Sequence, residues 1–194
     1  MPRITAVFLL LLVIVPKGFS WGREGHRVIA DIAEHRLNST ARTNLETLIG
    51  TQKLASVANW ADEVRGERDE TYNWHFVDIP STAAGFDHDR DCWQPNSGHQ
   101  GAAEDHHNCV VDRITIFEEV LANPKASRPD RVEALKFLVH FVGDVHQPFH
   151  AIGDARGGND IQVREFGRNQ CGQHTCNLHG AWDTGVPSHN SGRL

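Results

Sequence analysis

Residues 134–150 read A-L-K-F-L-V-H-F-V-G-D-V-H-Q-P-F-H. At 3.6 residues per turn, His140 and Asp144 stand one turn apart on one helix face, and His146 and His150 share another. The run is otherwise apolar, and the pattern predicts a central helix burying Leu135, Leu138, Val139, Val142 and Val145. Ionisable groups in such a segment are costly unless something satisfies them. One histidine here reads as a hydrogen-bonded core residue. Three histidines and an aspartate within eleven residues read as metal ligands, because imidazole and carboxylate are the nitrogen and oxygen donors zinc takes. Pro148 removes an amide donor and kinks or ends the helix, which frees His150 from the simple wheel.

Outward from this helix, residues 1–20 read as a secretory signal: Arg3, an apolar run over 6–15, and small residues Gly18 and Ser20 at the cleavage positions. The run is too short to span a bilayer, and no later stretch is long and apolar enough. Cleavage leaves 174 residues beginning at Trp21, enough for one domain with a core. That remainder carries 17 basic and 25 acidic residues, a net charge of −8. Such a balance argues against a nucleic-acid grip through a basic groove and suits a site whose acids hold divalent cations. Thirteen histidines are a surplus pointing the same way.

Four cysteines behind a secretory signal predict two disulfides, with three pairings open. Cys171 and Cys176 suit a local closure, which leaves Cys92 to Cys109 and a stabilisation of about 3 kcal/mol on the loop-entropy account. The competing reading is a thiolate zinc site completed by His174 or His179, and Cys-x4-Cys matches zinc spacing poorly. Asn38-Ser39-Thr40 is a glycosylation sequon.

The spacing predicts helices over 27–37, 43–49, 54–64 and 110–121, a short extended segment over 72–79, and a long loop over 81–108. His88, His99, His106 and His107 lie in that loop and read as solvated, with no metal role. Gly157-Gly158-Asn159 is a tight turn, 161–166 a short strand, and His179 and Asp183 share a face at i, i+4. His26 opens the first helix, five residues from the amine that cleavage frees on Trp21. Neither a repeat nor a domain boundary is visible. The class is mainly α, a single helical domain with a short β-hairpin.

Taken in order, Trp21, His26, N-W-A-D over 59–62, W-H-F over 74–76, H-F-V-G-D-V-H-Q-P-F-H over 140–150, G-G-N over 157–159, and N-L-H with W-D over 177–183 resemble the S1/P1 nuclease family. The resemblance runs from Trp21 to Asp183 and implies the helical fold of the zinc phospholipase C and P1 nuclease type, with three zinc ions. Residue by residue, it implies Asp62, His75, His140 and Asp144 around one zinc. It implies Trp21, His26 and the shared Asp144 around a second, and His150, His179 and Asp183 around a third. His146 matches a residue that orients a carboxylate or packs beside the ligands. Phe76 matches a base-stacking aromatic, Asp78 a base-edge contact, and Asn159 the turn lining the cleft. Arg65 stands where many members carry lysine near the phosphate, which keeps the charge and changes its geometry.

The activity implied is metal-assisted hydrolysis of single-stranded DNA and RNA to 5′-phosphates, with 3′-nucleotidase action, Asp62 and Asp144 being the catalytic carboxylates. The protein would be secreted, monomeric and without stable membrane association. Two rival readings are a zinc phospholipase C and a catalytically silent zinc-binding module. Family members continue through further helices after the position of Asp183, so the resemblance implies a C-terminally short domain over 21–194 that leans on zinc for stability.

Overall fold

The computed structural model describes residues 21–92 and 106–191. The signal segment 1–20 and His99 lie outside the described residues. Helix α1 (Arg23–His35) is followed by α2 (Ser39–Ile49), two short helices α3 (Leu54–Val57) and α4 (Trp60–Val64), and a 3-10 stretch Asp69–His75. Then come α5 (His88–Asp91), α6 (Val110–Ala122) and the long α7 (Arg128–Val145). A hairpin of β1 (Gln170–Cys171) and β2 (His174–Thr175), antiparallel with Cys171 opposite His174, leads to α8 (Leu178–Gly180), a π-helical turn Ala181–Gly185 and α9 (Val186–Ser191). The fold is mainly α with a minor β element, as its sequence pattern predicts.

Local chemistry explains the boundaries. Ser127 caps α7 by accepting from Asp130 N, with Pro129 in the first turn, where its missing N–H is harmless. Asn38 caps α2 through Oδ1 on Ala41 N at 2.8 Å. The predicted helix 54–64 is two helices. Between them the carbonyl of Ala58 is turned to accept from His140 Nδ1 at 2.6 Å, and a continuous helix would have kept it. The predicted extended segment 72–79 begins as the 3-10 stretch and extends only from Phe76. The predicted strand 161–166 forms two isolated bridges, Gln162 with Asn177 and Glu165 with Arg168, while the paired strands lie inside the cysteine loop.

Two apolar clusters flank α7. One packs Ala61, Trp74, Val77, Val110, Phe137 and Phe141 around the buried Cys92–Cys109 bridge. Its rings interlock: Phe117 stacks on Phe137 at 4.6 Å, Phe137 on Phe141 at 5.2 Å, and His75 meets Phe141 edge-on at 5.0 Å. The other packs Ala30, Leu45, Leu48, Ile49 and Leu54 of α1 to α3 with Ala58 just after them, and Leu135 and Val139 lie half-buried against them. The second disulfide joins Cys171 and Cys176, so both bridges take the local pairing and none of the four cysteines is a free thiolate.

The inward faces differ from those expected. On α7 the buried residues are Ala134, Phe137, His140, Phe141, Gly143 and Asp144, while Leu135, Leu138, Val139 and Val145 are half-buried and Val142 is exposed. On α1, Gly25, His26, Ala30 and Glu34 are buried, and Val28 and Ile32 are more than half exposed. Two residues along a helix is about 200° of rotation. Turning His26 and His140 inward therefore turns Val28 and Val142 out. No described helix is long and apolar enough to cross a membrane.

Candidate metal centre

Asp144 is the centre of the site. Its carboxylate and the side chains of His26, His75 and His140 are fully buried. Oδ1 lies 3.2 Å from His26 Nε2 and 3.9 Å from His150 Nδ1, and Oδ2 lies 3.1 Å from His75 Nδ1 and 3.3 Å from His140 Nε2. Asp62 Oδ1 stands 3.5 Å from His140 Nε2 and 3.7 Å from His75 Nδ1. Helix α1 reaches Asp144 because Gly143 has no side chain; a Cβ there would lie 2.8 Å from His26 Nδ1. The His26 and His140 rings then stack 3.8 Å apart.

A second group adjoins the first. His179 Nε2 is 3.1 Å from Asp183 Oδ2, and His150 Nε2 is 3.9 Å from Asp183 Oδ1. Gln147 organises this group: its Nε2 donates to Asp183 Oδ1 at 2.5 Å while its Oε1 accepts from Phe149 N at 2.6 Å. The residues before α1 are tied in as well, through Gly22 N on Asp183 O at 2.5 Å, with the Trp21 ring lying over Gly25.

Three imidazoles are oriented in the same way. His140, His150 and His179 each donate Nδ1–H to a backbone carbonyl, of Ala58, His75 and Gly157, at 2.6, 2.8 and 2.7 Å. That fixes the tautomer and leaves Nε2 as the donor atom facing the carboxylates, the arrangement that orients metal-bound histidines. The carbonyl of Gly157 is presented by a turn in which Gly157 and Gly158 have φ of 60° and 79°, and a Cβ on Gly157 would strike Phe149 O.

Charge supplies the test of fit. Burial works against charge on Asp144, but His140, His26 and His75 outweigh it and hold the carboxyl well below the usual range. Burial also opposes ionisation of Asp62, and His140 outweighs it. Burial lowers the His75 imidazole to about 4 against the pull of Asp144. His140 alone of that pair is raised, to about 9, because Asp144 and Asp62 overcome its burial. Two ionised carboxylates thus share too little positive charge, and His140 Nε2, His150 Nε2 and Asp144 Oδ1 are buried without a hydrogen-bond partner. Cations at these positions would satisfy both, and three sets of donor atoms cluster closely enough to hold them: His26, Asp62 and His140; His75, His140 and Asp144; and His150, His179 and Asp183.

The surrounding residues fall as follows. Arg65 is half-buried, its Nη2 on Tyr72 O at 3.0 Å and its guanidinium 4.0 Å over the Tyr72 ring, close enough to act on the charge of His75. Phe76 is half-buried and extended, its carbonyl taken by Val110 N and its ring 6.5 Å edge-on from Tyr72. Asp78 lies against Gly153. Asn159 is exposed, with Nδ2 folded onto Arg156 O at 2.9 Å. His146 does not orient a carboxylate: it is exposed and bonds Val142 O at 2.6 Å. Gln147, the next residue, has that role and was missed. The available signal was its place between two ligand-type histidines and before Pro148.

Fold and site together define a helical protein with a buried histidine–carboxylate centre able to coordinate metal. A profile described as S1/P1 Nuclease matches residues 21–194, and the chain belongs to that family. It is similar to Nuclease S1 of Aspergillus oryzae, 34% identical over 203 aligned positions covering 99% of this chain and 63% of that protein. It is also similar to Nuclease P1 of Penicillium citrinum, 34% identical over 86% of this chain and 58% of that protein. Endonuclease 2 of Arabidopsis thaliana is 33% identical over 91% of this chain and 59% of its own length. The chain spans about three fifths of the length of these curated relatives.

Proposed function

We propose that the chain is a secreted, monomeric, zinc-dependent endonuclease that hydrolyses single-stranded DNA and RNA to 5′-phosphate products and removes 3′-phosphates from nucleotides. The observation that carries this is the convergence of four imidazoles on Asp144, in a family whose named members include nucleases S1 and P1. Three zinc ions are assigned: one to Asp62, His75, His140 and Asp144, one to Trp21, His26 and Asp144, and one to His150, His179 and Asp183. Removal of residues 1–20 frees the Trp21 amine, whose pKa near 8 lets it serve as a ligand. Zinc in such a site supplies Lewis acidity and makes water a nucleophile near neutral pH.

The side chains supply position and charge. Asp144, reached by imidazoles at both oxygens, would hold the ions together, and Asp62, beside His140 and His75, would place a carboxylate oxygen to orient water. Arg65 brings a guanidinium beside His75 for the phosphate, and its Nε is buried without a hydrogen-bond partner. Phe76 offers a face to an unstacked base, which favours single strands. Asp78 reads a base edge, and the turn carrying Asn159 borders the cleft.

The test is hydrolysis of single-stranded DNA, RNA and phosphatidylcholine by protein beginning at Trp21, with and without zinc, alongside metal analysis. Zinc-dependent cleavage of nucleic acid bearing 5′-phosphate ends is expected. Cleavage of phosphatidylcholine alone would make the chain a phospholipase. Bound zinc with every substrate intact would make it a silent metal-binding module.

A further inference from the structure

A second convergence of imidazole and carboxylate lies beside the Cys92–Cys109 bridge. His88, which opens α5, places Nε2 2.6 Å from Asp112 Oδ2, and His107 places Nδ1 2.9 Å from the same oxygen. The two rings stand 5.5 Å apart. On the far side of the His88 ring, Asp89 Oδ1 lies 3.3 Å from Nδ1. The loop histidines 88 and 107, which read as merely solvated in the sequence, are thus gathered on one acid.

We propose that His88, His107 and Asp112 form a surface site for a zinc-class divalent cation, separate from the buried centre. Two imidazoles and one carboxylate are a donor set that zinc takes, and this site leaves the remaining positions to water. Ligands about 2.0–2.1 Å from a tetrahedral ion stand about 3.3 Å apart, so each imidazole nitrogen need draw back from Asp112 Oδ2 by well under an ångström. Asp89 on His88 Nδ1 supplies the outer carboxylate that orients a metal-binding imidazole. Asp112 sits in the first turn of α6, where the helix dipole favours its ionised form. The disulfide holds the Cα atoms of Cys92 and Cys109 4.7 Å apart, which brings the end of α5 to the start of α6 and pre-organises the set. With His88 39% and His107 62% exposed, this ion exchanges with the medium, unlike ions among the fully buried ligands of Asp144.

The test compares zinc stoichiometry of the wild-type protein with that of a His88→Gln, His107→Gln double variant, by equilibrium dialysis at graded free Zn2+, with thermal melting to verify folding. The wild type is expected to bind one ion more than the variant, released first on lowering free Zn2+. The difference does not depend on how many ions the buried centre takes, so failure of that assignment leaves this test readable. Asp112→Asn should lose the same ion, and histidine 15N spectra should show a shift at His88 Nε2 on adding it. Equal stoichiometry in folded wild type and variant, with no shift at His88, would overturn the proposal and leave only an ion pair of His88 with Asp112.

Discussion

The donors around Asp144 and those around Asp183 are built by different means. The first group hangs mainly on regular helices: His140 and Asp144 are one turn apart on α7, His26 is brought in by α1 across Gly143, and His75 alone of its imidazoles ends a 3-10 stretch. The second is assembled from turns: His150 follows Pro148 in a 3-10 turn, His179 opens a helix of three residues, and Asp183 lies in a π-helical turn. The first group is fully enclosed, whereas the His179 side chain keeps 17% of its surface in solvent. Helical spacing places a ligand pair on one face, and the Ala58 carbonyl then orients its imidazole. Turns need outside braces, and here these are Gln147, Gly22 and the carbonyl of Gly157.

Four substitutions break or sharpen this contrast. Asp144→Asn should have the largest effect, because that carboxylate serves every imidazole of the first group. Metal affinity should fall by more than the roughly 10–100-fold that losing a supporting partner costs, and the proposed nuclease activity should vanish; retained zinc and turnover would displace Asp144 from the centre. Gly143→Ala forces α1 from α7 and should cost about 1–3 kcal/mol in denaturant melts, as overpacking does, while depleting the first group of metal before the second.

Gln147→Ala should do the reverse. It removes the brace on Asp183 and should weaken the second group by roughly 10–100-fold while sparing the first, read as loss of one ion by metal analysis. Equal loss from both groups would show that they are one cooperative unit. The smallest effect is expected remote from both groups, at Glu34, whose carboxylate accepts from Leu54 N at 2.7 Å and Lys53 Nζ at 2.9 Å and joins α1 to α3. Glu34→Gln should cost about 1–2 kcal/mol at pH 7. Its pair with Lys53 lowers the Glu34 pKa in the folded state, so this stability is present above the unfolded pKa of about 4.3 and disappears as pH falls through the lower folded value. Urea melts of the two proteins should therefore converge in acid.

The sequence alone carries the helical class, the cysteine pairing by proximity, and the histidines and aspartate of 140–150, because ligand-type residues in an apolar run conflict with burial unless they act together, whereas Asp62 and His75 enter only through the resemblance to the S1/P1 nucleases. His140 and Asp144 are legible from period alone. Only the tertiary structure decides what holds them: the broken helix that frees the Ala58 carbonyl, the missing Cβ of Gly143, the polar Gln147 in place of His146, and the gathering of His88 and His107 on Asp112. It also decides that the ligand faces of α1 and α7 turn inward and leave Val28 and Val142 in solvent. Period tells which residues share a face. Which face turns inward depends on partners distant in the chain, and here those partners are imidazoles and carboxylates satisfied only against one another.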